Sequence, residues 1–241
     1  MLIPYLGEKS RLSNFITPYI PTDITTYVEP FGGMFGVFFS LNFMKFKDVK
    51  FIYNDVNFLN SNLFNQLKEN VDFSEEINKI KVSREYYSEV LGKLFTEKDT
   101  NKLAIYWLII LTCSSTNKIG KDSWLGDGEF EIFKLKLRAY KYHIDKIDQI
   151  HNWDYKKIIS KYDSETTFFY VDPPYMGKEN YYINHNFEGT SHEELAKTLY
   201  NIKGRFILSY WYFDGIESLY SWCNIEKKST LMGAEFLIKN Y

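Results

Sequence analysis

Only two cysteines, Cys113 and Cys223, occur among 241 residues, and neither sits in a Cys-x-x-Cys or Cys/His spacing. That excludes a disulfide framework and implies no zinc site; the pair reads as reduced thiols of a cytosolic chain. Long apolar runs are also scarce. The longest, residues 103–113, is too short to cross a bilayer and suits a buried helix, and the opening Met-Leu-Ile-Pro-Tyr-Leu-Gly-Glu-Lys lacks the apolar stretch of a secretory signal. Basic charge is not in excess: 29 Lys and Arg face 31 Asp and Glu, a net charge of −2. A surface coated in positive charge is therefore excluded, and a nucleic-acid partner would have to be met by a local patch. Two phosphate-binding signatures are missing as well, Gly-x-Gly-x-x-Gly and a glycine loop ending in Lys-Ser/Thr, which weighs against nicotinamide cofactors and nucleoside triphosphates. No internal repeat or low-complexity segment is present.

Prolines number six, yet two of them stand together in Tyr170-Val171-Asp172-Pro173-Pro174-Tyr175. The preceding run, Thr166-Thr167-Phe168-Phe169-Tyr170-Val171, has the length and the aromatic and β-branched content of a buried parallel strand. Asp172 then falls at the strand's carboxyl end, the side on which open α/β sheets hold their ligands. The prolines remove two backbone donors and stiffen the turn, which frees the carbonyls of Asp172 and Pro173 and holds Tyr175 near the carboxylate. A proline turn beside a packing tyrosine is the bland alternative, but Asp-Pro-Pro-Tyr arises by chance in roughly one chain of this size in a thousand.

Upstream, residues 25–29 read as a short strand entering the turn Glu29-Pro30-Phe31-Gly32-Gly33-Met34-Phe35-Gly36, after which Val37-Phe38-Phe39-Ser40-Leu41 is expected to open an apolar helix. Glycines there let backbone approach a ligand and aim N–H groups at it. A second strand, residues 51–55, ends in Asp55, which lies 23 residues after Gly32. That spacing suits a carboxylate on ribose hydroxyls better than the alternative, a cap for a helix beginning near Asn57.

Residues 57–159 are mostly helix-like, with Leu103, Tyr106, Trp107, Ile110 and Leu111 on one face. Asp127-Gly128 suggests a tight turn. Residues 133–138 alternate as a strand would, yet Lys134, Arg138 and Lys141 also share a helical face, so both assignments stay open. Residues 132–147 carry five Lys or Arg against one Asp, a local +4 that makes them the best phosphate-contacting candidate. Residues 176–190 read as a mobile loop over the crevice. Ser191 and Glu194 form a Ser-x-x-Glu capping pattern for a helix to about residue 202, and residues 205–210 and 235–238 supply further strands. The fold class is α/β: a Rossmann-like, doubly wound, mostly parallel sheet carrying a helical or irregular insertion.

These parts suit a small cofactor beside a flat substrate with an exocyclic amine. The amine of adenine is a poor nucleophile because its lone pair is delocalised into the ring. Asp172 and the Pro173 carbonyl can accept its two N–H groups and turn the lone pair toward a methyl donor, by positioning and electrostatics without a metal. Tyr175 can stack on a base that has left the duplex.

At this point the chain resembles the Dam-type, alpha-class DNA adenine-N6 methyltransferases, which use S-adenosylmethionine. Gly7 and Lys9, Glu-Pro-Phe-x-Gly at 29–33, Asn-Asp-x-Asn at 54–57, a recognition insertion and Asp-Pro-Pro-Tyr follow in that family's order, and residues 235–241 are similar to its closing strand. The resemblance implies cofactor contacts from Tyr5, Lys9, Glu29, Pro30, Phe31, Gly32, Gly33, Asp55 and Asp172. It implies that Asp172, Pro173, Pro174 and Tyr175 hold the flipped adenine. DNA contacts are expected from Asn117, Lys118, Lys121, Lys134, Lys136, Arg138 and Lys141. Residues 1–56 and 160–241 would then form the catalytic domain, and 57–159 the insertion, with target recognition at about 113–147. Double-stranded DNA is the implied partner of a cytoplasmic, prokaryotic or phage-encoded enzyme, a monomer or weak dimer that pairing with a restriction endonuclease would suit. Two departures stand out. Phe35 replaces a glycine near the expected cofactor pocket, and Ser114-Ser115-Thr116-Asn117-Lys118 replaces the usual Asn/Arg/Asn pattern. Methylation of RNA or of a protein amide, and a catalytically silent binding subunit, are the competing readings.

Overall fold

A computed structural model of the chain describes residues 3–4, 9, 12–115, 123–177, 187, 190–230 and 233–241. Among these residues seven strands form one sheet in the order β3-β2-β1-β4-β5-β7-β6. They are β1 Thr26–Glu29, β2 Lys50–Asn54, β3 Ile147–His151, β4 Thr167–Val171, β5 Arg205–Trp211, β6 Asn224–Thr230 and β7 Gly233–Lys239. The first five run parallel, whereas β7 lies antiparallel to both β5 and β6. The expected doubly wound, mostly parallel sheet is thus present. From β1 the chain builds outward through β2 and β3, then returns to place β4 on the other side of β1. That reversal is a topological switch point, and it opens a crevice at the carboxyl ends of β1 and β4.

The parallel strands are apolar on both faces because helices cover both. Tyr27, Phe51, Tyr53, Phe168 and Tyr170 face one core, and their alternates Val28, Ile52, Phe169 and Val171 face the other. The short α1 Ser13–Ile16, with α2 Phe58–Glu69, α3 Phe73–Lys79, α4 Arg84–Lys93, α5 Thr100–Cys113 and α6 Gly128–Ile144, packs on the first face. On the second lie α7 Tyr155–Tyr162, α8 Ser191–Tyr200 and the short α9 Ile216–Leu219. Asp99 caps α5 by accepting from the N–H groups of Asn101 and Lys102.

Several sequence expectations are corrected here. The apolar helix expected after the glycine turn is only a single 3-10 turn over Phe38–Ser40, with a second over Phe43–Lys45. Residues 133–138 are helical: Phe130, Phe133, Leu137, Tyr140 and Ile144 recur at three and four residues and bury that face of α6. Asp127-Gly128 is the start of α6 rather than a hairpin turn. The α8 cap position is Thr190, with no side-chain cap bond, so the Ser-x-x-Glu pattern does not act as a capping box. Within the stretch 57–159, β3 joins the sheet and α7 packs on its second face. The proposed loop at 176–190 lies largely outside the described residues. Among the described residues no helix is long and apolar enough to cross a membrane.

Candidate active site

Asp172 follows β4 directly, is half-buried, and receives the Lys9 ammonium at 2.9 Å from Oδ1. Pro173, Pro174 and Tyr175 are buried behind it. Lys9 also lies 3.8 Å from Glu235 Oε1 and 4.7 Å from the centre of the Tyr175 ring. The Tyr175 hydroxyl donates to Glu235 Oε1 at 2.5 Å. Tyr210 stacks on the same ring at 5.4 Å and 25°, with Trp211 at 5.5 Å. Burial pushes the Glu235 carboxyl above its ordinary range, and Asp172 adds to the rise, while the Lys9 charge works against it. Burial likewise carries the Tyr175 phenol well above its usual value. The structure brings Lys9, Asp172 and Tyr175 together, and with them Glu235, which the sequence reading does not name as a site residue. Its signal was a carboxylate at the head of the apolar run Phe236-Leu237-Ile238, a position that demands a buried partner.

The glycine turn is held from below. Glu29 is 2% exposed, and its Oε1 accepts from the Tyr27 hydroxyl at 2.6 Å and from the Phe38 N–H at 3.1 Å. Burial lifts its carboxyl well above the ordinary range, with Asp172 contributing. Glu29 thus serves the turn's geometry. Gly32 is required by close packing: a β-carbon there would come within 2.4 Å of the Tyr53 ring and 2.9 Å of the Asn54 carbonyl. Gly33 is left-handed, φ +49°, and its N–H donates to Asp55 Oδ2 at 2.7 Å. Asp55 also accepts from Asn57 N–H at 2.7 Å and Asn60 Nδ2 at 3.2 Å. The helix-entry role weighed against ribose binding is therefore partly filled, since Asp55 bonds the N-cap residue of α2. Phe35, at φ +58°, turns into the core with no exposed surface, stacking on Phe38 at 4.1 Å. It does not crowd the crevice.

The carboxyl ends of three strands are stitched together here. Asn54 Nδ2 donates to the carbonyls of Pro30 and Trp153, and its Oδ1 accepts from Trp153 N–H. Asn152 Nδ2 donates to the carbonyls of Asp55 and Val56 at 2.7 and 2.8 Å. Trp153 stacks on the His151 ring at 4.0 Å and has the Lys157 ammonium over its ring at 4.0 Å. Residues 151–153 were missed because β3 carries no clear apolar alternation. Phe31 stacks on Tyr155 at 5.2 Å and meets Phe187 edge-on at 5.6 Å.

A cofactor carrying a nucleoside fits this crevice on two observations. Asp55 has about four acceptor positions and three donors, so capacity remains. Beside it, Asn57 Nδ2 is buried without a hydrogen-bond partner, a donor that a ligand could satisfy.

The DNA candidates are not brought to this crevice as a group. Lys134 Nζ donates to the Ile80 carbonyl at 2.5 Å, and Lys141 Nζ to the Lys68 carbonyl at 2.8 Å, near the carboxyl ends of α3 and α2. Lys136 and Arg138 are exposed on α6. Tyr5, Gly7, Asn117, Lys118 and Lys121 lie outside the described residues.

A model of the D12 class N6 adenine-specific DNA methyltransferases matches residues 5–233. No curated protein matches the chain. Among solved structures, a conserved hypothetical protein of Streptococcus pyogenes is 8% identical with a TM-score of 0.40, over 96% of this chain and 93% of that one. A likeness that weak carries no argument.

Proposed function

The chain belongs to the D12 class N6 adenine-specific DNA methyltransferase family, and from that membership we propose how its residues divide the work. The reaction moves a methyl group from S-adenosylmethionine to N6 of adenine in DNA. The cofactor, when bound, supplies the electrophilic methyl. Our reading gives the rest to the chain's own groups. Asp172 accepts one N6–H and the Pro173 carbonyl the other, which turns the nitrogen lone pair outward. Lys9 holds the Asp172 carboxylate in place at 2.9 Å. Asp55 and Asn57 face the cofactor's ribose, and Glu29 with Gly32 and Gly33 shapes the wall beside it. Tyr175 is 7% exposed under Tyr210 and Lys9, so a face of its ring must be uncovered before a flipped base can stack there. Duplex DNA approaches along Lys136 and Arg138 of α6. Positioning by these acceptors needs no metal, and the enzyme acts as a monomer or weak dimer.

The observation that carries this reading is the Lys9–Asp172 pair at the switch point between β1 and β4. The test is transfer of tritiated methyl from S-adenosylmethionine into unmethylated genomic DNA. Asp172→Ala is expected to abolish it, at least about 1,000-fold, while the fold is retained. Label that survives in Asp172→Ala, or that appears only in RNA or protein, would sink the reading.

A further inference from the structure

We infer that Glu235 is a positioning residue for methyl transfer, acting through the Tyr175 hydroxyl, an inference that rests on Asp172 and Tyr175 receiving the adenine. Glu235 comes from β7, far along the chain from the Asp-Pro-Pro-Tyr turn, and pairs in register with Trp211 of β5. Its side chain is buried, so its charge must be met by donors at hand. Three groups meet it: the Tyr175 hydroxyl at 2.5 Å, the Lys9 ammonium at 3.8 Å and the Trp211 side chain, which hydrogen-bonds the carboxyl. Lys9 is already paired more closely, with Asp172 at 2.9 Å. Neutralising Lys9 therefore does not require Glu235, and the short bond to the phenol is its main engagement.

That bond fixes what packing alone leaves free. Tyr210 and Trp211 define the slot for the Tyr175 ring, but a ring in a slot can still slide and tilt. The bond from the phenol to Glu235 is short and directional, and it pins the far end of the ring. Lys9 spans Asp172 and Glu235, so the acceptor that orients N6 and the ring that supports the base share one buried frame. Placement errors of this kind cost rate far more than they cost cofactor affinity.

A double-mutant cycle in single-turnover methyl transfer to unmethylated genomic DNA tests the inference, with S-adenosylmethionine affinity read by calorimetry. Glu235→Leu and Tyr175→Phe are each expected to slow transfer about tenfold, and the double variant also about tenfold, with cofactor affinity held within about twofold. Glu235→Gln keeps an acceptor oxygen for the phenol and is expected to stay within about threefold of the parent rate. The inference is overturned by losses that multiply to about 100-fold, by Glu235→Leu at the parent rate, or by Glu235→Gln as slow as Glu235→Leu, which would mark a charge role at Lys9. Should Glu235→Leu not fold, Tyr175→Phe decides: a tenfold loss supports the inference and the parent rate overturns it. Transfer that persists in Asp172→Ala removes the underlying reading whatever Glu235 does.

Discussion

Phe35 shows how a single residue can mislead a sequence reading without disturbing the site. A non-glycine residue at φ +58° costs on the order of 1 kcal/mol, a cost offset here by a ring buried among Phe38, Tyr53 and Phe64. From sequence, a bulky group in the glycine turn threatens the pocket. The direction of its Cα–Cβ bond from a left-handed backbone is not written in any local pattern. Phe35→Gly should relieve the strain but empty the ring's place, lowering stability by about 2–4 kcal/mol in urea unfolding. A stabilised Phe35→Gly would refute this account. Glu29 carries a second prediction at the same scale. Its carboxyl is ordinary, near 4.5, in the unfolded chain and raised by burial in the native one. Between those values the native state binds the proton more firmly, so the stability this group confers is complete below about 4.5 and is lost as pH rises toward the folded value. Glu29→Gln keeps the acceptor for Tyr27 and Phe38 without that dependence. Its stability relative to the parent should therefore increase as pH is raised from about 4 to 7, and a constant difference would contradict the sign.

Among elements, α6 resolves an ambiguity that six residues could not. Phe-Lys-Leu-Lys-Leu-Arg alternates, but the apolar positions from Phe130 to Ile144 follow the helical period, and only the longer window reveals it. The helix then divides its cations. Lys134 and Lys141 reach back to carbonyls near the ends of α3 and α2, whereas Lys136 and Arg138 face solvent. Lys134→Ala and Lys141→Ala should each cost about 1 kcal/mol in urea unfolding and leave the salt dependence of DNA binding unchanged. Lys136→Ala and Arg138→Ala should do the reverse, each lowering the slope of log K against log salt by about 0.9. Equal slopes in all four variants would dismiss α6 as a phosphate-contacting helix. Edge strands were the elements sequence hid most completely. Asn-Ile-Glu-Lys-Lys-Ser-Thr in β6 and Ile-Asp-Gln-Ile-His in β3 are polar because sheet edges face water and resist pairing, so the apolar signal that betrays a central strand is missing.

At the scale of the whole molecule, the legible and illegible parts separate along the sheet. β1, β2 and β4 are short apolar runs ending in Glu29, Asn54 and Asp172 or their neighbours, so local reading found the strands and named the polar residues at their tips. It could not find what joins the tips, because Thr26 pairs with Thr167 and Tyr175 meets Glu235 across long stretches of chain. Those contacts depend on strand order, which no window of sequence contains. The antiparallel β7 also has a meaning in time. On the ribosome, Lys9 emerges first, Asp172 and Tyr175 much later, and Glu235 later still; until β7 slides in beside β5, the phenol has no carboxylate to bind. A nascent chain would therefore carry Lys9, Asp172 and Tyr175 before the strand that brings Glu235 to them.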